Sequence, residues 1–306
     1  MRKYYNIVDG KIVENGADVC PVLVYINPDE AEKKHLIDDF RIDDHNINSA
    51  LDPNEIGRVE FEVDHTVLII KRPKRYSSED NFQLKISSIG LFLFSDKLIV
   101  LVTEEIELFD GRSFARVRSI QDLFLKLIYR CILHFVQHLQ VVHTISDELE
   151  AEINKAMSNQ HLINMFNLEK SLVYYLNAIS YNGKVVEKLR ASQAKLSLSV
   201  EEVEFLEDLS IENSQCYEQA NTYSQVLSSM MDAWASVVSN NLNILIKKLT
   251  ILMIGIMLPT LVLNIFSMNL PLPFNMEAHP YAFWIAIGVA GLSIFSVFVI
   301  REHKKW

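Results

Sequence analysis

The chain has 306 residues, 29 Lys and Arg against 39 Asp and Glu, and a formal net charge of −10. That balance, with no basic stripe interleaved with aromatics, argues against a nucleic-acid partner and leaves the acid excess to solubility or to attraction of cations. The length allows a soluble domain plus long helices; Cys20, Cys131 and Cys216 are isolated and lack zinc or redox spacing, so inert thiols are expected.

The N-terminus, Met1-Arg2-Lys3-Tyr4-Tyr5, runs into polar residues without an apolar signal core. The first 240 or so residues are therefore expected to stay in the cytoplasm. Strand-like runs rich in Val, Ile and Phe follow at Tyr4–Val8, Val22–Ile26, Arg58–Val63, Thr66–Lys71, Phe82–Lys85, Gly90–Phe94 and Lys97–Thr103. Asp9-Gly10 is a hairpin signal. Helical patterns fall at Asp29–Phe40 and Asp44–Leu51, the second stopped by Asp52-Pro53. This mixture predicts an α/β domain, a sheet flanked by helices.

From Ser119 onward the character is helical. Ile120–His143, Thr144–Ser180 and Gly183–Leu198 have helical spacing and no proline. Val200–Phe266 has one proline, Pro259, and one glycine, Gly255, and reads as a single helix. At 1.5 Å per residue it would be roughly 100 Å long, too long for a globular core, so it enters a membrane or a bundle.

Two runs free of charge, Leu249–Phe266 and Tyr281–Ile300, approach the roughly 20 apolar residues that a membrane-crossing helix needs. Lys247 and Lys248 precede the first run, Arg301, Lys304 and Lys305 follow the second, and the loop between has no Lys or Arg. The positive-inside rule then puts both termini in the cytoplasm, with Trp284 and Trp306 near opposite interfaces.

A semi-polar stripe runs along the long helix: Asp232, Ala235, Ser239, Asn243, Ile246, Thr250, Met253, Met257, Thr260, Asn264, Ser267. Steps of three and four put these on one face. Hydroxyls, amides and thioethers there suit either a water-filled pore shared by several chains or a helix–helix seam.

Other constellations are weaker. His134 and His138 have i, i+4 spacing but no third ligand in register, so they read as ordinary helix-face histidines. Arg72-Pro73-Lys74-Arg75 reads as a solvated turn, with a phosphate contact as the sharper alternative. No P-loop, dinucleotide fingerprint, nucleophile elbow or catalytic constellation is present, so the chain is not expected to be an enzyme.

Ser267-Met268-Asn269 stands at the outer end of the first run, where it resembles the Gly-Met-Asn signature of the CorA family of divalent-cation channels. Asn243, Lys247 and Leu249-Thr250 resemble the family's Asn…Lys-x-Leu-Thr pattern. Leu258-Pro259-Thr260 and Leu270-Pro271-Leu272-Pro273-Phe274 are similar to one branch of it. Leu51-Asp52-Pro53-Asn54-Glu55-Ile56-Gly57-Arg58-Val59-Glu60 resembles a weaker motif of the cytoplasmic domain. The resemblance covers essentially the whole chain and is strongest over 232–275.

What the resemblance implies is a homopentamer in the cell's inner or plasma membrane, among its lipids, with each first span lining a central pore. Asn269 matches the outer selectivity residue, flanked by Ser267 and Met268, and Asn264, Thr260, Met257, Met253, Leu249, Asn243 and Asp232 fall along the pore. Asp208, joined by Glu212 a turn on, falls where the family has a regulatory cation site between subunits. The implied cargo is Mg²⁺, with Co²⁺, Ni²⁺ or Zn²⁺ as alternatives. A further alternative is a membrane effector opened by a nucleotide messenger.

Three departures stand out. Ser replaces Gly at 267, which changes the turn presenting Asn269; Asn264 puts an amide where many relatives carry a small residue; and Glu277 is the only acid of the loop. The expected organisation is a cytoplasmic α/β domain over 1–118, a cytoplasmic helical domain over 119–199, and a stalk and pore helix over 200–266 whose first span is about 246–266. An extracytoplasmic loop over 267–280, a second span over 281–300 and a basic cytoplasmic tail over 301–306 follow.

Overall fold

The computed structural model describes residues 1–15, 20–75, 82–153, 159–268 and 280–303, and structural counts are of those residues. The chain divides into two compact units, Met1–Asp232 and Ala233–Trp306.

The first unit is built on seven strands: β1 (Arg2–Val8), β2 (Lys11–Glu14), β3 (Val22–Ile26), β4 (Arg58–Phe61), β5 (His65–Pro73), β6 (Ile86–Phe94) and β7 (Leu98–Val102). They form one sheet in the order β2-β1-β3-β7-β6-β5-β4. Only β3 and β7 pair in parallel; the other neighbours are antiparallel. Asp9 and Gly10 close the β1–β2 hairpin, both at positive φ (50° and 75°), the backbone that a two-residue type I′ turn requires.

Alternation along the strands sends side chains to two cores. Leu23, Tyr25, Val67, Ile69, Phe92, Ile99 and Leu101 pack with α1 (Glu30–Phe40) and α2 (Asp44–Leu51). Val22, Val24, Leu68, Ile70, Leu91 and Val100 pack on the other face with α3 (Ile120–Ile153) and α4 (Asn159–Ala191). Leu206, Leu209, Cys216 and Ala220, from the first part of α5 (Val200–Phe266), join that second core. The sheet is therefore covered by helices on both faces, as the strand and helix patterns predict.

Three expectations need correction. Phe82–Lys85 is not a strand: Phe82 takes φ +63°, and the Leu84 N–H donates to the α4 hydroxyl Ser171 Oγ at 3.0 Å instead of entering the ladder. The strand begins at Ile86. No helix boundary falls at Thr144; it lies inside α3, and its hydroxyl donates back to Gln140 O at 3.2 Å. Gly183 does not break α4 either. A Cβ there would meet Asn213 Nδ2 at 2.8 Å, and that amide donates to Ile179 O at 3.1 Å. The glycine thus makes room for a close contact between α4 and α5, and Gly183→Ala should lower the thermal midpoint of the full chain.

The Arg72-Pro73-Lys74-Arg75 segment is solvated only at Lys74 and Arg75, which are exposed. Arg72 and Pro73 belong to β5, and the Arg72 side chain is 4% exposed against Glu104, 2.6 Å away. Lys74 shares that carboxylate at 3.4 Å.

His134 and His138 are half-buried on α3, with His138 Nδ1 2.8 Å from Tyr175 Oη. Burial, aided by the charge of Arg72, pushes both pKa values down to about 4. Their ordinary value is about 6.5, so between those limits the unfolded chain binds protons that the folded chain does not. Stability should fall as pH drops from 6.5 toward 4. Melting curves of wild type and His134→Gln/His138→Gln over that range check this: the double variant should show a flatter acid limb. Burial also pushes the thiols of Cys131 and Cys216 up to about 12, which makes both inert.

In the second unit, α5 continues to Phe266 and α6 spans Ala282–His303. Among the described residues α5 alone is long and apolar enough to cross a membrane; the apolar part of α6, Ala282–Ser296, is shorter. None of the most apolar stretch of α5 is buried within the chain.

Candidate functional site

The base of α5 is set by two linked caps. Ser119 caps α3 by accepting from the Asp122 N–H, and Asp122 accepts in turn from the Arg118 N–H, one residue before the cap. On α5, Ser199 and Glu202 form a reciprocal capping box, each side chain accepting from the other's N–H. Ser119 Oγ then donates to Glu202, and Arg118 pairs with Glu201, so the starts of the two helices are tied together. Both Ser-x-x-acid caps are readable as sequence; their bond to each other is not, because it joins residues 83 positions apart.

Further along α5, Asp208 is exposed and Glu212, one turn later, is half-buried. Neither forms an ion pair among the described residues, so both carboxylates are free to take a cation. No group of three or more His, Cys, Asp or Glu that would hold a metal forms among the described residues of a single chain. Two carboxylates suit Mg²⁺, a hard ion that prefers oxygen, but leave most of its octahedron to water or to a second chain.

The stripe stays open to the outside of the chain. Asp232, Ala235, Ser239, Asn243, Thr250, Thr260, Asn264 and Ser267 are exposed, as are Leu249 at 60%, Met253 at 55%, Met257 at 67% and Met268 at 51%. Large apolar side chains this open are out of place in water and in place in lipid or between subunits. Pro259 sits inside the helix; its missing N–H leaves the Gly255 carbonyl without an i+4 donor, which a helix tolerates in a membrane setting.

The helix closes in a turn where Ser267 donates twice to Asn264 O, from its N–H at 3.2 Å and from its hydroxyl at 2.9 Å. Ser267 thus fastens its own side chain to the end of the helix, which a glycine does not. Asn269, Glu277, the segment 270–274 and the tail residues Lys304, Lys305 and Trp306 lie outside the described residues.

The described residues form a helix-flanked sheet followed by a helix long and apolar enough to cross a membrane. The description "CorA-like Mg2+ transporter protein" matches residues 23–304, and the chain belongs to that family. The family is one of membrane ion transporters rather than enzymes.

The cobalt/magnesium transport protein CorA of Methanocaldococcus jannaschii is 25% identical over 318 residues, covering 97% of this chain and 97% of that protein. The protein of the same name from Thermotoga maritima is 21% identical over 274 residues, covering 85% of this chain and 75% of that protein. The complete structure of the Methanocaldococcus jannaschii CorA magnesium transporter superposes with a TM-score of 0.80 at 22% identity, covering 98% of this chain and 96% of that one.

Proposed function

We propose that this chain is one subunit of a homopentameric channel that passes Mg²⁺, and Co²⁺ with it, down the electrochemical gradient. The observation that carries the reading is the stripe of α5: polar and thioether side chains at helical spacing, exposed, and continuing into the uncharged run 249–266. The names of two relatives, both cobalt/magnesium transport proteins, support the choice of ion.

In this reading, Leu249–Phe266 and Tyr281–Ile300 both cross the membrane, 267–280 faces outward, and both termini are cytoplasmic. The soluble regions 1–118 and 119–199 hang in the cytoplasm, 200–266 is stalk and pore, and 301–306 is the basic tail. Asp232 concentrates cations at the inner mouth. Rings at Leu249, Met253 and Met257 are apolar and gate by dewetting, while Asn243 and Thr260 offer oxygen. Asn269 meets the hydrated ion outside.

Cysteines introduced at Ser239, Asn243 or Thr260 should cross-link between subunits in native-like membranes. Monomers or dimers alone would sink the pore.

Asp208 and Glu212 supply part of a regulatory Mg²⁺ site completed by a neighbouring subunit. Without the ion these carboxylates repel the acids facing them; with it the assembly is held closed. Asp208→Asn/Glu212→Gln removes the repulsion, so internal Mg²⁺ should inhibit flux less. The site is wrong if the inhibition curve of that double variant overlays the wild type.

A further inference from the structure

The first unit holds a cavity of about 960 Å³, walled by α3, β5, β6 and the segment that follows β7. Three guanidiniums line it: Arg72 on β5, Arg75 just past that strand, and Arg130 on α3. Their donors are far from used up. Arg72 is 4% exposed and donates to Glu104 and to the Pro73 carbonyl, but its buried Nε has no partner. The half-buried Arg130 guanidinium makes no hydrogen bond among the described residues. Asp110 stands 3.7 Å from it, too far for one. Arg75 is exposed and has no side-chain partner among the described residues. Each guanidinium carries five N–H donors in a planar fork, and a buried donor without an acceptor is costly.

The acids of the lining do not make up the difference. Glu104 is shared by Arg72 and Lys74, and Glu105 is taken by Lys3. Glu107 and Asp110 are exposed, where water screens them. The positive field reaches the buried side of the cavity. His134 has its pKa lowered to about 4 by burial first, then by His138, Arg72 and Arg130. The same two arginines act on the buried Cys131 thiol one turn earlier. Both guanidiniums therefore bear on one patch of α3. The rest of the wall is aromatic or apolar. Tyr5 and Phe109 meet edge to face at 4.9 Å, and Ile89 and Leu127 are buried.

We propose that this cavity binds a phosphate monoester, with its phosphoryl oxygens among Arg72, Arg75 and Arg130 and its organic part against Tyr5 and Phe109. Guanidinium forks pair with phosphoryl oxygens two at a time. A phosphate monoester is largely dianionic at neutral pH, and its tetrahedral oxygens accept forks from more than one direction. A planar carboxylate has two oxygens and suits a single fork. The site supplies the phosphate contact that Arg72-Pro73-Lys74-Arg75 offers in sequence. It lies outside the stripe of α5 and does not rest on the pore reading, so it is readable in protein that transports nothing.

The test is calorimetric titration of the purified full-length protein in detergent, at about 0.15 M salt so that loose counterion binding is screened. The probes are phenyl phosphate, inorganic phosphate and benzoate. Phenyl phosphate should bind saturably. It should bind more tightly than inorganic phosphate, which lacks the ring, and than benzoate, which lacks the phosphoryl group. Arg130→Gln should raise the phenyl phosphate Kd at least about tenfold, the equivalent of about one hydrogen bond to a charged group. Arg130→Lys keeps the charge without the fork and should recover only part of that loss. Arg75→Gln lies at an exposed position, so its folding is not at stake. It should weaken phenyl phosphate and inorganic phosphate by the same factor, whereas Phe109→Leu should weaken phenyl phosphate alone. Absence of saturable phenyl phosphate binding to wild type, or a Kd unchanged in either folded arginine-to-glutamine variant, would overturn the site. Benzoate binding as tightly as phenyl phosphate would overturn the phosphoryl assignment.

Discussion

Asn269→Ala is expected to abolish selective Mg²⁺ uptake. In the proposed pentamer it removes five carboxamide oxygens from one ring at the outer mouth. A hydrogen bond to a charged partner contributes roughly 1.5–3 kcal/mol where water cannot take its place. The mouth is wet, so each loss is smaller, but it is repeated around the ring. Residual flux should fall at least about tenfold, the effect of a single such bond. Ser267→Gly should retain conduction and shift it toward Mg²⁺, because the Ser267 hydroxyl no longer ties the turn to Asn264 O. Uptake and ion preference of Asn269→Ala equal to wild type would remove Asn269 from the filter.

The second large effect is on stability. β4 pairs with β5 only from Thr66 to Ile69, so beyond Ile69 that edge of β5 has no strand. Asn182, fully buried on α4, takes its place. Its Oδ1 accepts from the Lys71 N–H and its Nδ2 donates to the Lys71 carbonyl, both at 2.8 Å. Asn182→Ala leaves two buried backbone groups unpaired, at about 1–3 kcal/mol each, so a loss of about 2–6 kcal/mol is expected. The thermal midpoint of the full chain should drop well outside error. A midpoint within a degree or so of wild type would mean that water or a shifted β4 replaces the amide.

The fold is legible where a local pattern has a local cause. The Asp9-Gly10 turn, the buried runs of β3, β5 and β7, and the uninterrupted helix α5 all follow from residue type and spacing. What the sequence hides is set by distant partners. Gly183 looks like a helix breaker until Asn213 is placed against it. Arg72 looks like a surface cation until Glu104, just past the end of β7, reaches it across β6.

The candidate site divides the same way. Steps of three and four predict that Asp232, Asn243, Thr260 and Asn264 share a face, and all are exposed on α5. Which hydroxyl has already given its proton to the helix is invisible in a string of letters. So is the neighbour that would complete Asp208 and Glu212, because one chain does not contain it.

Mg²⁺ uptake into proteoliposomes carrying the purified full-length protein, driven by an inside-negative potential, tests the central claim most directly. The account predicts uptake well above that of empty vesicles, shared by Co²⁺ and lost in Asn269→Ala. Assembled, membrane-inserted protein whose vesicles take up no more Mg²⁺ or Co²⁺ than empty ones would contradict it.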